Sequence, residues 1–131
     1  MSYVFDSSSI FKAMTENVVE AVAGNCTLEL ARFELGTILW KKYAVEGRAT
    51  GEELKRLAKL VKEILNLMEV VTISCHEEEI LGVAEGLRLT FYDASYVYCA
   101  KRNKLSLVTE DSDLMDKAKT QVKALKLDDI V

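Results

Sequence analysis

The chain has 131 residues, half of them apolar and 29% charged, and 17 Lys and Arg against 21 Asp and Glu leave a formal charge of −4. That size and composition suit one globular domain, residues 1–131, with a single layered core, and exclude a disordered chain. The acidic balance excludes general nucleic-acid affinity through basic surface, so a bound nucleic acid must be held by local basic patches or a metal.

No apolar run approaches the roughly 18 residues a membrane-spanning helix needs, and the start of the chain lacks the basic-then-apolar pattern of a secretory signal. No membrane association and a cytoplasmic location are therefore expected. Cys26, Cys75 and Cys99 are odd in number and widely spaced. They match neither a disulfide framework nor a zinc motif and read as buried thiols.

Residues 3–5 (YVF) read as a short buried strand, and residues 7–23 as a helix starting directly after Asp6. Gly24-Asn25 makes a turn. Residues 26–28 are either a second short strand or the entry to a helix over about 29–45. Gly47 and Gly51 bound a loop. Beyond it Leu54, Leu57, Ala58, Val61, Ile64, Leu65 and Met68 recur at helical spacing, while Lys55, Arg56, Lys59 and Lys62 fall on the solvated face. Residues 70–73 (VVTI) suit a strand covered on both faces. Helices over 76–87 and 91–102, a strand over 105–108, a helix over 111–119 and a last strand over 122–125 complete the chain. Strands alternating with helices imply an α/β fold, a three-layer α/β/α sandwich on a central parallel sheet of four to five strands.

Strands of an open parallel sheet all end at one edge, where the loops form the binding crevice. Asp6 and Asp111 each follow a predicted strand and so belong to that edge. Glu34 lies within a helix, on a stripe with Leu30 and Ile38, and Asp93 sits between LTFY and ASYVY; both need partners, because an unpaired buried charge is costly. Each acid has a structural alternative. Asp6 and Asp111 suit helix caps, Thr90 and Asp93 a capping box, and Glu34 a pair with a core arginine. Gathered together, the four would repel one another by roughly 3–4 kcal/mol per pair at 4–6 Å, so such a cluster needs protons or a cation. Oxygen ligands without His or Cys point to Mg²⁺ or Mn²⁺. Ser8 and Thr109, each two residues from an acid, are placed to orient those carboxylates or to serve in turns.

Other chemistry has little support. No G-x-S-x-G, P-loop or G-x-G-x-x-G occurs. The sole histidine, His76, precedes three glutamates and reads as solvated. Phe33, Trp40, Tyr92, Tyr96 and Tyr98 suit core or dimer interface, and Lys12, Arg32, Lys41, Lys42, Lys101 and Arg102 are the candidate phosphate contacts.

The segments VFDSSSIF, ARFELGTIL and YDASYVYCAKRNKLSLVTEDSDL together resemble the motifs of PIN domains over essentially the whole chain, and the compact size is similar to that of VapC-type toxins. The resemblance implies a Mg²⁺- or Mn²⁺-dependent endoribonuclease in which Asp6, Glu34, Asp93 and Asp111 are the four acids. Asp113 would be an auxiliary fifth, and Ser8 and Thr109 match the family's hydroxylated positions. It also implies an RNA substrate, a homodimer and a small antitoxin partner. Leu114 stands where many relatives carry Phe, and Ser7-Ser8 replaces the commoner Thr-Asn, without loss of a ligand. Two alternatives differ in class. A non-catalytic PIN-like interaction module requires that the acids fail to converge. A receiver-like phosphoacceptor domain requires an acid pair at the first strand's exit and a late strand-end lysine, and neither is evident.

Overall fold

The computed structural model describes all of residues 1–131. Five parallel strands form one sheet: β1 (Tyr3–Phe5), β2 (Cys26–Leu28), β3 (Glu69–Val71), β4 (Ser106–Val108) and β5 (Ala124–Leu125), in the order β3-β2-β1-β4-β5. Six α-helices connect them: α1 (Ser7–Thr15), α2 (Leu30–Leu39), α3 (Gly51–Asn66), α4 (Glu77–Leu87), α5 (Phe91–Asn103) and α6 (Ser112–Ala118). In the central strands the two-residue alternation of side chains serves the helical layers on both faces. Phe5 and Val108 face a core with Ile10, Leu35, Ile64 and Leu65 from α1, α2 and α3. Val4 and Leu107, one residue earlier on the same strands, face Tyr96, Val97, Leu114 and Ala118 from α5 and α6. Helix α4 packs on α5 through Ile80, Ala84 and Ala94. The three-layer α/β/α architecture expected from the alternation of elements is the one formed.

Register pairs Val4 with Leu107 and Phe5 with Val108, so β1 and β4 end side by side. Chain order reverses between them, since β2 and β3 lie on one side of β1 and β4 and β5 on the other. The crevice of an open parallel sheet falls at such a reversal, outside the carboxyl ends of the strands.

Several boundaries differ from expectation. The first helix stops at Thr15, not residue 23, because Asn17 adopts a left-handed backbone (φ 57°) that asparagine tolerates and a helix cannot continue through; a single 3₁₀ turn follows at Val19–Ala21. Residues 26–28 form a strand, not a helix entry. The second helix is α-helical only to Leu39, then widens into a π-turn at Trp40–Val45 before Gly47 (φ 67°). β3 is an edge strand with Glu69 exposed and Val70 and Val71 half-buried, not a strand covered on both faces. Cys26 and Cys99 are buried with their Sγ atoms 3.9 Å apart, but Cys75 is exposed, on a left-handed residue (φ 73°), so only two of the three thiols belong to the core. No helix is long and apolar enough to cross a membrane.

Candidate active site at the carboxyl edge of the sheet

Asp6 follows β1 and caps α1; Oδ1 accepts hydrogen bonds from the Ser8 hydroxyl at 2.7 Å and the Ser9 N–H at 3.0 Å. Its other oxygen accepts from the Thr109 hydroxyl, at the end of β4. The hydroxyl of Ser8 also accepts from the Glu110 N–H at 2.9 Å, and that of Thr109 from the Asp111 N–H at 3.1 Å. Each hydroxyl has one proton, and in both cases it goes to Asp6; the 3.3 Å approach of Ser8 to Thr109 is then a contact rather than a hydrogen bond. Ser9 Oγ lies 2.8 Å from the Val108 carbonyl and donates there, joining α1 to β4. These bonds fix Asp6, which is only 5% exposed. Burial still pushes its carboxyl above the ordinary range, against the lowering effect of the Thr109, Ser8 and Ser9 hydrogen bonds.

Asp111 caps α6 through Oδ1, which accepts from the N–H groups of Asp113 and Leu114 at 2.9 and 3.1 Å. The cap and the edge position are not rivals: capping occupies one oxygen and leaves Oδ2 without a partner in the chain. Thr109, by contrast, does not orient the carboxylate of Asp111 as its spacing suggested; it orients Asp6 and holds only the backbone of Asp111. Thr90 caps α5 by accepting from the Asp93 N–H, but the carboxylate of Asp93 does not return the bond, so the capping box is half-made. Glu34, on α2, meets no arginine; Oε1 accepts from the Tyr96 hydroxyl on α5 at 2.7 Å.

The four acids come from four different elements, yet they act on one another. The carboxyl of Asp93 is pushed up to about 6, first by burial and then by the charges of Asp111, Asp6, Glu34 and, last, Asp113. Asp6 and Asp111 cap α1 and α6 and Asp93 lies in the first turn of α5, where helix dipoles favour negative charge. Dipoles are the only positive counterweight, because none of Asp6, Glu34, Asp93 and Asp111 forms an ion pair with a lysine, arginine or histidine. The carboxylates nevertheless stop short of a closed cage, since no three acidic, histidine or cysteine side chains stand at spacing ready to hold one ion. Mutual repulsion gives the physical reason for that spread. Asp113 is exposed and paired with Lys117 at 3.3 Å, which makes it peripheral to the other four.

Of the four acids Glu34 lines a groove of about 680 Å³, together with Ser7, Thr37, Phe33 and Tyr92. Phe33, Trp40 and Tyr92 are 69%, 58% and 61% exposed and Tyr96 is buried, so the aromatic residues do not share one environment. Of the candidate phosphate contacts, Lys12 is engaged by Glu110 and Asp128, both at 3.1 Å, and Arg32 by Glu29 at 2.7 Å. Lys101 donates to Gln121 and Lys42 lies over the Phe11 ring, leaving Lys41 and Arg102 without side-chain partners. His76 is half-buried and bonded through Nδ1 to the Tyr98 hydroxyl at 3.1 Å, away from the acids, and is not the solvated side chain expected. Sequence reasoning missed two contributors, Ser9 and Tyr96. A third consecutive serine at the hydrogen-bonding position of an Asp-capped helix was the available signal for Ser9. For Tyr96 it was the three-residue spacing from Asp93, which puts both on one face of α5.

An all-parallel α/β domain whose carboxyl edge gathers acids without cations defines the class: folds that carry an acidic centre at the switch point of the sheet. The family model of the PIN domain matches residues 1–120, and the chain belongs to that family. Exonuclease VapC9 of Pyrobaculum aerophilum is 32% identical over 121 residues, spanning 91% of this chain and 87% of that relative. The crystal structure of PAE2754 from Pyrobaculum aerophilum superposes with a TM-score of 0.84 at 30% identity, covering 98% of this chain and 92% of that one. A toxin–antitoxin complex from Klebsiella pneumoniae contains a chain of the same fold (TM-score 0.65, 17% identity, coverage 87% and 90%).

Proposed function

We propose that this chain is a Mg²⁺- or Mn²⁺-dependent nuclease that hydrolyses phosphodiester bonds in RNA, and that it is the toxin of a toxin–antitoxin pair. One observation carries the reading. Four carboxylates from separate elements act on one another electrostatically, three of them held by neutral donors alone, and none of the four is paired with a protein cation. All-oxygen donors without sulfur or imidazole suit a hard divalent ion. Asp6, Asp93 and Asp111 are the residues to hold it, and Glu34 either holds a second ion or orients the attacking water. Bound there, the ion would neutralise charge on the phosphoryl oxygens and lower the pKa of water. The hydroxyls of Ser8 and Thr109 keep Asp6 in a single orientation without spending its charge. With its carboxyl near 6, Asp93 holds a proton on the acid side of neutrality and releases it above. The groove beside Glu34 offers the faces of Phe33 and Tyr92 to bases of a single strand.

The resemblance favours endonucleolytic cleavage, whereas the relative at 32% identity is named an exonuclease, which favours attack at an end. A circular RNA separates the two, because only internal cleavage opens it. The likeness to a toxin–antitoxin complex supports a small antitoxin as partner. Exposed Trp40 and Leu81, outside the groove, are apolar surface for that partner or for a second copy of the chain. In a purified assay with Mg²⁺, Mn²⁺ and EDTA, Asp6→Asn should abolish metal-dependent cleavage of single-stranded RNA with the fold intact by circular dichroism. Undiminished cleavage by that variant would remove Asp6 from the chemistry and refute the reading.

A further inference from the structure

The donors around the acids share one chemical property: every one is neutral. Asp6 takes two hydroxyls and a backbone N–H, Asp111 takes two backbone N–H groups, and Glu34 takes one phenol. Asp6 and Asp111 are fixed close to the backbone that bears them, each capping the helix that starts at the next residue. Glu34 is the exception, for it projects from the middle of α2 on a longer side chain and has no cap. Its only donor in the chain is the hydroxyl of Tyr96, which crosses from α5. Tyr96 is 1% exposed and packed among Val4, Leu28 and Leu107, so its ring is immobile and its hydroxyl has no other acceptor.

We infer that Tyr96 is the positioning residue for Glu34, fixing its Oε1 with a neutral donor so that the carboxylate gains one orientation and keeps its full charge for a divalent cation. A lysine or arginine at that place would orient Glu34 equally well but would cancel the charge that attracts the ion. A hydroxyl orients by hydrogen bonding alone. Tyr96 also lies three residues after Asp93 on the same helix, so α5 supplies one acid and the clamp on another from a single face. Asp93 and the hydroxyl that holds Glu34 are therefore carried by one rigid element. The alternative is that Tyr96 is a core side chain whose buried hydroxyl needed some acceptor and found Glu34 by proximity.

The inference rests on the metal-dependent reading above, and the experiment separates the two. Mn²⁺ binding is followed without RNA, from the electron paramagnetic resonance signal of the free ion, for the wild type, Asp6→Asn, Tyr96→Phe, Glu34→Gln and the Tyr96→Phe/Glu34→Gln double variant. Tyr96→Phe should weaken binding about tenfold, the size of one lost hydrogen bond to a charged group. In the Glu34→Gln background the same change should have no further effect, because a residue acting through Glu34 has nothing left to position. Wild-type affinity in Tyr96→Phe, or an equal loss in both backgrounds, would overturn the inference while leaving the metal site standing. A wild type that binds no Mn²⁺, or an Asp6→Asn variant that binds as tightly as the wild type, would remove the underlying reading itself. Should Tyr96→Phe fail to fold, Glu34→Asp keeps the charge, leaves the core untouched and withdraws the carboxylate from the phenol. It should bind about tenfold more weakly, and wild-type binding would count against Tyr96 in the same way.

Discussion

Replacing Asp93 by asparagine tests the electrostatics of the edge independently of any substrate. Burial, and then the neighbouring acids, push its carboxyl from the ordinary 3.8 up to about 6, so the folded state holds this proton more tightly than the unfolded chain does. The sign follows from linkage: stability contributed by the group is complete below the unfolded pKa and is lost as pH rises through about 6. At pH 7.5, without metal, the ionised side chain therefore weakens the fold. A shift of that size corresponds to on the order of 3 kcal/mol at about 1.4 kcal/mol per unit. Asp93 is only partly buried, and solvent screening brings this to roughly 1 kcal/mol. Asparagine keeps the shape and removes the charge. In EDTA at pH 7.5, Asp93→Asn should unfold about 3–5 °C above the wild type, a domain of this size lying between the ranges known for smaller and larger ones. At pH 4.5 the difference should shrink to less than half, as the wild type keeps much of its proton. On the proposed metal-dependent reading, added Mn²⁺ should reverse the order, because an ion held by Asp93 would stabilise the wild type by mass action and not the variant. A metal-free variant less stable than the wild type at pH 7.5, or a gain of the same size at both pH values, would refute the argument that Asp93 sits in an uncompensated acidic field.

Two further outcomes follow from the packing. Ser9→Ala removes the hydroxyl that ties α1 to the Val108 carbonyl but leaves the Ser9 N–H on Asp6, so it should lower the urea stability by about 1 kcal/mol; an unchanged midpoint would deny the tie any weight. Cys75 is exposed and Cys26 and Cys99 are buried, so a thiol reagent should modify one cysteine promptly in the native protein and all three after denaturation; a second prompt equivalent would show that the Cys26–Cys99 pair opens.

The fold and the acids were legible to different depths. Asp6 and Asp111 could be assigned to one edge because a polar residue directly after a parallel strand has nowhere else to go. Glu34 and Asp93 could be singled out as acids in apolar surroundings, but not shown to meet, since a helix fixes which face a residue occupies and not what lies opposite. Helix ends were misjudged where a single residue such as Asn17 turned the backbone left-handed, a choice that hydrophobic periodicity does not encode. Which of the candidate phosphate contacts is already engaged was illegible for a related reason: only the folded chain brings Asp128 of the C-terminal turn to Lys12.

By itself, the sequence determined the alternation of strands and helices and the parallel sheet, and it placed Asp6 and Asp111 at strand ends, because periodicity and strand-end position are local properties of the chain. Only the tertiary structure decided which donors hold those acids and which charges are left over. Thr109 turned toward Asp6 instead of Asp111, and Tyr96 reached Glu34 across 62 positions of sequence. Hydrogen-bond partners and electrostatic neighbours depend on distance in space, and the chain order sets no such distance until the strands have paired.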